Sequence, residues 1–211
     1  MGEAKPEVIY NTASGFTADT FEQVTAADPT QIIAVNQAVD ARTKGSLEEI
    51  APTTVKPNGY EDWQVPWEKQ VETIADAVGK EDEGDKLIDD TEKAFEEFRH
   101  EHAELQDKSA AIVMPYDGKI GLYTKEDGRG QFIEDLGMEI PDALQGDGGS
   151  FFVDIAPENY AKLNQVDYLF VLDYNGSSDA LKKDKTFQGL DIVKDGRVRY
   201  LDTDTGNAMS L

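Results

Sequence analysis

Arg129 stands between Gly128 and Gly130, just ahead of a stretch over residues 130–136 that reads as a short helix ended by Gly137. A guanidinium is permanently charged and planar, and its fork meets carboxylate or phosphate oxygens in pairs. The N-terminal end of a helix adds unpartnered N–H groups and the positive end of a dipole. That setting favours an anionic or oxygen-rich ligand. The alternative at the same position is a loop arginine paired with its neighbours Asp127 or Glu126.

Aromatic side chains are the second group with chemistry to offer, since they give rigid contact surface and, in Tyr and Trp, a polar handle. Phe151 and Phe152 follow Gly148-Gly149-Ser150, where at least one of the pair can simply be core. Trp63 and Trp67 lie in a Pro- and Gly-rich loop over residues 57–67. Trp67 also continues an apolar helix face, so Trp63 is the contact candidate. Tyr60, Tyr116, Tyr123 and Tyr174 follow or end predicted strands, where each faces a ligand or simply packs. Arg42 is a further cation, with plain surface charge as its alternative. Glu22 and Glu158 stand in the first turns of predicted helices, where the dipole favours a carboxylate.

Catalytic signatures are thin. The chain has no cysteine, which excludes disulfides, thiolate zinc sites, iron–sulfur clusters and a cysteine nucleophile. His100 and His102 are the only histidines; two apart on a helix, they point in different directions and make no chelating pair. That counts against a zinc or manganese carrier and leaves no axial histidine for haem, although a tyrosine can serve. Gly128-Arg129-Gly130 lacks the third glycine of a dinucleotide fingerprint. No P-loop or nucleophile elbow occurs, and Ser150 and Asp154 have no histidine near them in sequence. The residues therefore point to a binder with no catalytic residue, no protein-bound metal and no cofactor.

The elements that must position these residues are legible in outline. The chain has 211 residues, a net charge of −23 and 43 acids against 20 bases. Such a field repels nucleic acids and anionic membrane surfaces. No stretch approaches the roughly 18 apolar residues of a membrane span, and no signal segment precedes Pro6. Strands are expected over 8–10, 31–35, 52–56, 110–114, 119–123 and 168–172, with a strand–turn–strand over 192–201 around Asp195-Gly196. Helices are expected from 17–20, where Thr20 to Gln23 has the form of a capping box, and over 46–50, 67–78, 130–136, 157–163 and 178–182. Trp67, Val71, Ile74 and Val78 share one face of the 67–78 helix. The longest helical pattern, 81–107, would span about 35–40 Å. This order predicts an α/β protein of two Rossmann-like lobes with mostly parallel sheets, joined by one long linker helix, with ligand in the cleft between them. The expected division is an N-terminal lobe over 1–80, the linker over 81–107 and a C-terminal lobe over 108–211.

In this order the chain resembles the helical-linker class of ABC-transporter solute-binding proteins, which serve ferric siderophores, haem and cobalamin. Phe21-Glu22-Gln23-Val24, Asp28-Pro29 and Gln31-Ile32-Ile33-Ala34 resemble the family's first-lobe block. Ile50-Ala51-Pro52-Thr53 is similar to its isoleucine-alanine-proline-threonine signature. Trp67-Glu68-Lys69-Gln70 through Ala77-Val78-Gly79-Lys80 resembles the helix leading into the linker. Phe132-Ile133-Glu134-Asp135-Leu136-Gly137 resembles a second-lobe helix, and Phe187, Leu190 and Val193 to Val198 resemble the family's ending. Relative to the family, one β/α unit before Pro6 and a closing helix after Leu211 are missing, so both lobes are expected to be incomplete.

The resemblance implies a monomeric, extracytoplasmic binder, periplasmic or a cell-surface lipoprotein, that captures a ferric siderophore and delivers it to ABC permease subunits. It implies Arg129 as a ligand-binding arginine, a cleft aromatic at Phe151 or Phe152, and Glu22 and Glu158 as one docking glutamate per lobe. The same fold also accommodates haem or a corrinoid. An α/β enzyme of unknown substrate and a non-catalytic adaptor are the readings from other classes.

Overall fold

Short side chains with hydroxyl or carboxylate oxygens decide where the first helices begin. In the computed structural model, which describes residues 6–9, 15–174 and 176–208, Thr17 is extended and caps α1 (Ala18–Ala26). The backbone N–H of Thr20 donates to Thr17 Oγ1, and the N–H of Thr17 donates back to Thr20 Oγ1 at 3.2 Å. The box therefore lies one turn earlier than Thr20 to Gln23. Asp40 caps α2 (Ala41–Glu48) by accepting from the Thr43 N–H at 2.7 Å. That cap moves α2 ahead of the expected 46–50 and places Gly45 inside it, because a good cap outweighs the roughly 1 kcal/mol helix penalty of one glycine.

The chain divides into two compact units, Met1–Val65 with Lys69–Gly84, and Pro66–Glu68 with Asp85–Leu211. In the first unit, β1 (Ile32–Ala34) and β2 (Thr53–Val55) pair in parallel. Val8 and Ile9 form no strand, and Val8 is exposed; Tyr10 lies outside the described residues. The helix α3 (Trp67–Val78) forms as its spacing predicts, but its packed face is turned. Gln70 and Ala75 are buried, whereas Ile74 and Val78 are 37% and 47% exposed. Where α3 meets the first turn of α4 (Glu81–Glu101), a Cβ on Gly84 would lie 2.5 Å from Ala75 Cβ, so two small residues set that contact. His102 ends α4 in a non-helical conformation, followed by a single 3-10 turn over Ala103–Leu105. The long helix is thus nearer 30 Å than 35–40 Å.

The second unit is built on one five-stranded sheet. Its strands are β3 (Ala110–Tyr116), β4 (Lys119–Tyr123), β5 (Phe152–Ile155), β6 (Tyr168–Leu172) and β7 (Val198–Leu201), in the spatial order β5-β4-β3-β6-β7. The β3–β6 and β6–β7 pairs are parallel, and β4 and β5 add on antiparallel. Alternation along β3 separates two cores. Ala111 and Val113 face a cluster with Leu122, Tyr160, Leu163, Leu169, Phe187 and Ile192. Ala110 and Ile112 face Tyr123, Ile133, Met138 and Leu172, which α5 (Gly128–Asp135) covers.

The remaining helices are short: a 3-10 run over Pro157–Gln165, then α6 (Ser178–Lys183), α7 (Lys185–Gln188), α8 (Asp191–Lys194) and α9 (Thr203–Ala208). The expected strand–turn–strand over 192–201 is corrected here. Its first half is the helical turn α8, because Ile192 is fully buried in the first core and its N–H donates to Asn164 Oδ1 at 3.1 Å. Only the half after Gly196 enters the sheet. Strand β5 was not expected, since the glycines before it and Asp154 within it mask its alternation.

Candidate ligand-binding site

Tyr123 ends β4, and the chain turns over residues 124–127 into α5. Asp127 has extended backbone and caps α5, accepting from the Arg129 N–H at 2.9 Å. Gly130 is required at this turn. A Cβ there would lie 2.0 Å from the Thr124 carbonyl oxygen and 2.9 Å from Lys125 Cα. Buried polar side chains hold the turn from behind: Thr124 Oγ1 donates to the Ser150 carbonyl at 2.6 Å, and the Lys125 N–H donates to Gln145 Oε1 at 3.0 Å.

Arg129 is thereby folded back over the sheet. Its side chain is 14% exposed and that of Asp127 5%. One terminal nitrogen donates to Asp127 Oδ1 at 3.1 Å and the other to the Tyr174 hydroxyl at 3.2 Å. The guanidinium carbon sits 4.5 Å from the Tyr123 ring centroid, a cation–π arrangement. The Nε atom is buried with no hydrogen-bond partner. Burial works against the Arg129 charge, but Asp127, Tyr123 and Tyr174 more than offset it and raise its pKa. Burial likewise pushes the Asp127 carboxyl up, opposed by Arg129. Burial also raises the Tyr123 phenol.

From Tyr123 a row of rings continues along the same unit. Phe152 pairs with Tyr123 across β4–β5 and packs edge-on at 5.2 Å. Tyr116 lies 5.5 Å and Phe151 5.9 Å from Phe152. The Phe152 ring covers Gly121, where a Cβ would fall 1.6 Å from its Cζ. At the far end the Tyr116 hydroxyl donates to Asp154, which also takes Lys119 Nζ at 2.7 Å. Those two partners hold the Asp154 carboxyl below its ordinary value.

The structure therefore gathers Arg129, Tyr116, Tyr123, Tyr174, Phe151 and Phe152 in one unit. Arg129 does pair with Asp127, and the same guanidinium also meets two of the candidate tyrosines. One expectation is corrected: the N-terminus of α5 is not open to an anion, because the Asp127 carboxylate already caps it. In the other unit Trp63 and Tyr60 are half-buried, and Arg42 is exposed beside Asp40. Trp63 has φ of 66°, an uncommon backbone state for a large side chain. Trp67 is packed: its indole N–H donates to Asp135 Oδ2 at 3.2 Å, and its ring lies 6.2 Å from Phe95. Glu22 on α1 and Glu158 in the first turn after Pro157 are both exposed. His100 is exposed, and His102 lies against Phe98 at 4.5 Å.

Sequence reasoning gave Asp127 no role beyond pairing with Arg129 and did not single out Thr124, Gln145 or Gly121. An Asp immediately before a helix is a cap signature, and that signal was available for Asp127. The other three owe their place to contacts made at distance along the chain. Among the described residues no group of three or more His, Asp or Glu side chains is placed to hold a metal ion. No helix among them is long and apolar enough to cross a membrane. What the cluster offers is one guanidinium with an unused donor, three phenols and two phenylalanine rings, groups of the kind that suit an oxygen-rich ligand with an apolar frame.

The fold is similar to the iron uptake ABC transporter substrate-binding protein PiaA of Streptococcus pneumoniae, with a TM-score of 0.73 and 26% identity over 95% of this chain and 69% of that one. A second structure of PiaA, in complex with ferrichrome, matches with the same score and identity over 95% of this chain and 68% of that one. FhuD2 of Staphylococcus aureus with bound ferrioxamine B shares the fold, with a TM-score of 0.71 and 21% identity over 89% of this chain and 72% of that one. No curated protein matches the sequence. Residues 6–205 match the model of the periplasmic binding protein family, and the chain belongs to that family.

Proposed function

We propose that the protein is the extracytoplasmic binding component of an ABC importer and captures a ferric siderophore through the Arg129 cluster. The observation that carries this reading is the arginine itself. It is seated on one phenol ring, tied to a second, and keeps a buried Nε–H without a partner. Ferric siderophores present carbonyl, hydroxamate or carboxylate oxygens on a partly apolar frame, which such donors and ring faces suit. Family membership supports the reading, as does the likeness to PiaA, a protein seen with ferrichrome. Phe151, Phe152, Tyr116, Tyr60, Trp63 and Arg42 are further ligand contacts in this proposal. Exposed Glu22 and Glu158 are the carboxylates offered to permease subunits.

The test is tryptophan fluorescence of the chain titrated with ferric hydroxamate, catecholate and citrate-type chelates and with haem. Saturable quenching by an iron chelate is expected. In Arg129→Gln, loss of charged hydrogen bonds weakens that binding at least about 30-fold. A circular-dichroism melt confirms that the variant is folded. No response to any iron chelate overturns the siderophore reading, and a Soret band on haem titration replaces it.

A further inference from the structure

The Asp127 carboxylate does more than a cap requires. Asn or Ser caps a helix about as well as Asp, yet here the capping residue carries a charge into a site where its side chain is 5% exposed. A buried ion pair is weak support for stability, because desolvation of both partners opposes their attraction. Its consequence for the site is electrostatic. The groups bearing on Arg129 are Asp127, Tyr123 and Tyr174. Of these only Asp127 is a carboxylate, and it meets the guanidinium at 3.1 Å, charge against charge. The guanidinium still offers hydrogen-bond donors, but the pair offers no net charge. The chain around it carries −23, which repels anions further.

We propose that Asp127 is a specificity-determining residue: by neutralising Arg129 inside the site, it selects ferric chelates without net charge over anionic ones. This rests on the siderophore reading above. Three hydroxamates balance the charge of one ferric ion and leave a neutral complex, whereas three catecholates leave a trianion and citrate-type chelates are also anionic. A trianion entering this site would lose its hydration and meet a cation already paired, a mismatch that acts as discrimination. A neutral trishydroxamate takes the same donors without that penalty.

The experiment is calorimetric titration of the full chain and of Asp127→Asn with a neutral ferric trishydroxamate, a ferric triscatecholate and ferric citrate. The unaltered protein is expected to bind the trishydroxamate at least about tenfold more tightly than either anion. Asp127→Asn keeps the cap and removes the charge, so it is expected to shift that ratio toward the anions by about tenfold or more. A purely structural role would weaken all three chelates together and leave the ratio alone, which overturns the proposal. Preference of the unaltered protein for an anion also overturns it, without needing any variant. Asp127→Ser, which retains a cap, takes the place of Asp127→Asn if the latter does not fold. Absence of binding by every iron chelate removes the siderophore reading itself, and this inference with it. Binding of all three with an unchanged ratio removes only the role of Asp127.

Discussion

Replacing glycine by alanine should have opposite effects at two helical positions, and the difference can be worked from the packing. Gly45 lies inside α2 with nothing within 4 Å of an added Cβ, whereas Gly130 lies in the first turn of α5 with the Thr124 carbonyl oxygen 2.0 Å away. At Gly45 the methyl group only restricts the unfolded chain and improves helix propensity, which stabilises by about 0.5–1 kcal/mol. At Gly130 the same gain is available but is outweighed. The methyl falls about 1.4 Å short of ordinary contact with backbone that cannot rotate away, and overpacking of this kind costs about 1–3 kcal/mol. The strain is relieved only by lifting the start of α5, which carries Arg129 away from Tyr123 and Tyr174. Urea unfolding should therefore show Gly45→Ala with a higher midpoint and Gly130→Ala with a lower one. Gly130→Ala should also bind its iron chelate at least about tenfold more weakly, with Gly45→Ala unchanged. A Gly130→Ala protein as stable as the parent, or one destabilised with full affinity, would refute the claim that this close approach positions the arginine.

Salt should stabilise the protein: with 43 acids against 20 bases, self-repulsion opposes folding, and raising the ionic strength to about 1 M shortens screening to about 3 Å. The urea midpoint is expected to rise from low to molar KCl, and a fall would contradict the self-repulsion argument. Asp167 accepts from the N–H and hydroxyl of Ser109, and those bonds hold its carboxyl below the ordinary value of 3.8. A lowered folded pKa means stability present above the unfolded value and lost as pH falls through the folded one. Asp167→Asn should accordingly be less stable than the parent at neutral pH, with the gap closing below about pH 4 in pH-dependent denaturation. Reversing Glu22 and Glu158 to Lys should abolish chelate uptake by cells while leaving chelate affinity in solution unchanged, since both side chains are exposed; unimpaired uptake would remove their docking role.

Local rules carried the reading wherever an element is determined by its own residues. The runs that became β3, β4 and β6 are short, apolar and β-branched or aromatic, and each lies within two residues of its expected place. The spacing that predicts α3 also holds. Elements that depend on distant partners were read less well. On α3, Ala75 is packed by Gly84 and Gln70 by its bond to the Val65 carbonyl, contacts that helical periodicity cannot report. Strand β5 exists because β4 offers it an edge: the Phe152–Tyr123 register is a property of the pair, not of either sequence. Residues 192–194 look like a strand by composition, but Asn164 supplies the hydrogen bond that makes them a helical turn.

The candidate site shows the same division within a single residue. Arg129 was legible as a cation beside glycines, but its setting depended on where α5 starts. Beginning the helix at residue 130 leaves a bare N-terminus and places the arginine just outside it. Beginning it at Gly128, as Asp127 does by capping, fills that N-terminus with a carboxylate and folds the arginine into the first turn, over the ring that ends β4. A shift of two residues thus changes the ligand logic from a free positive end that attracts anions to a balanced pair that presents donors. For this reason the charge of the chelate, more than its size or denticity, is the property through which Asp127 should be seen to act.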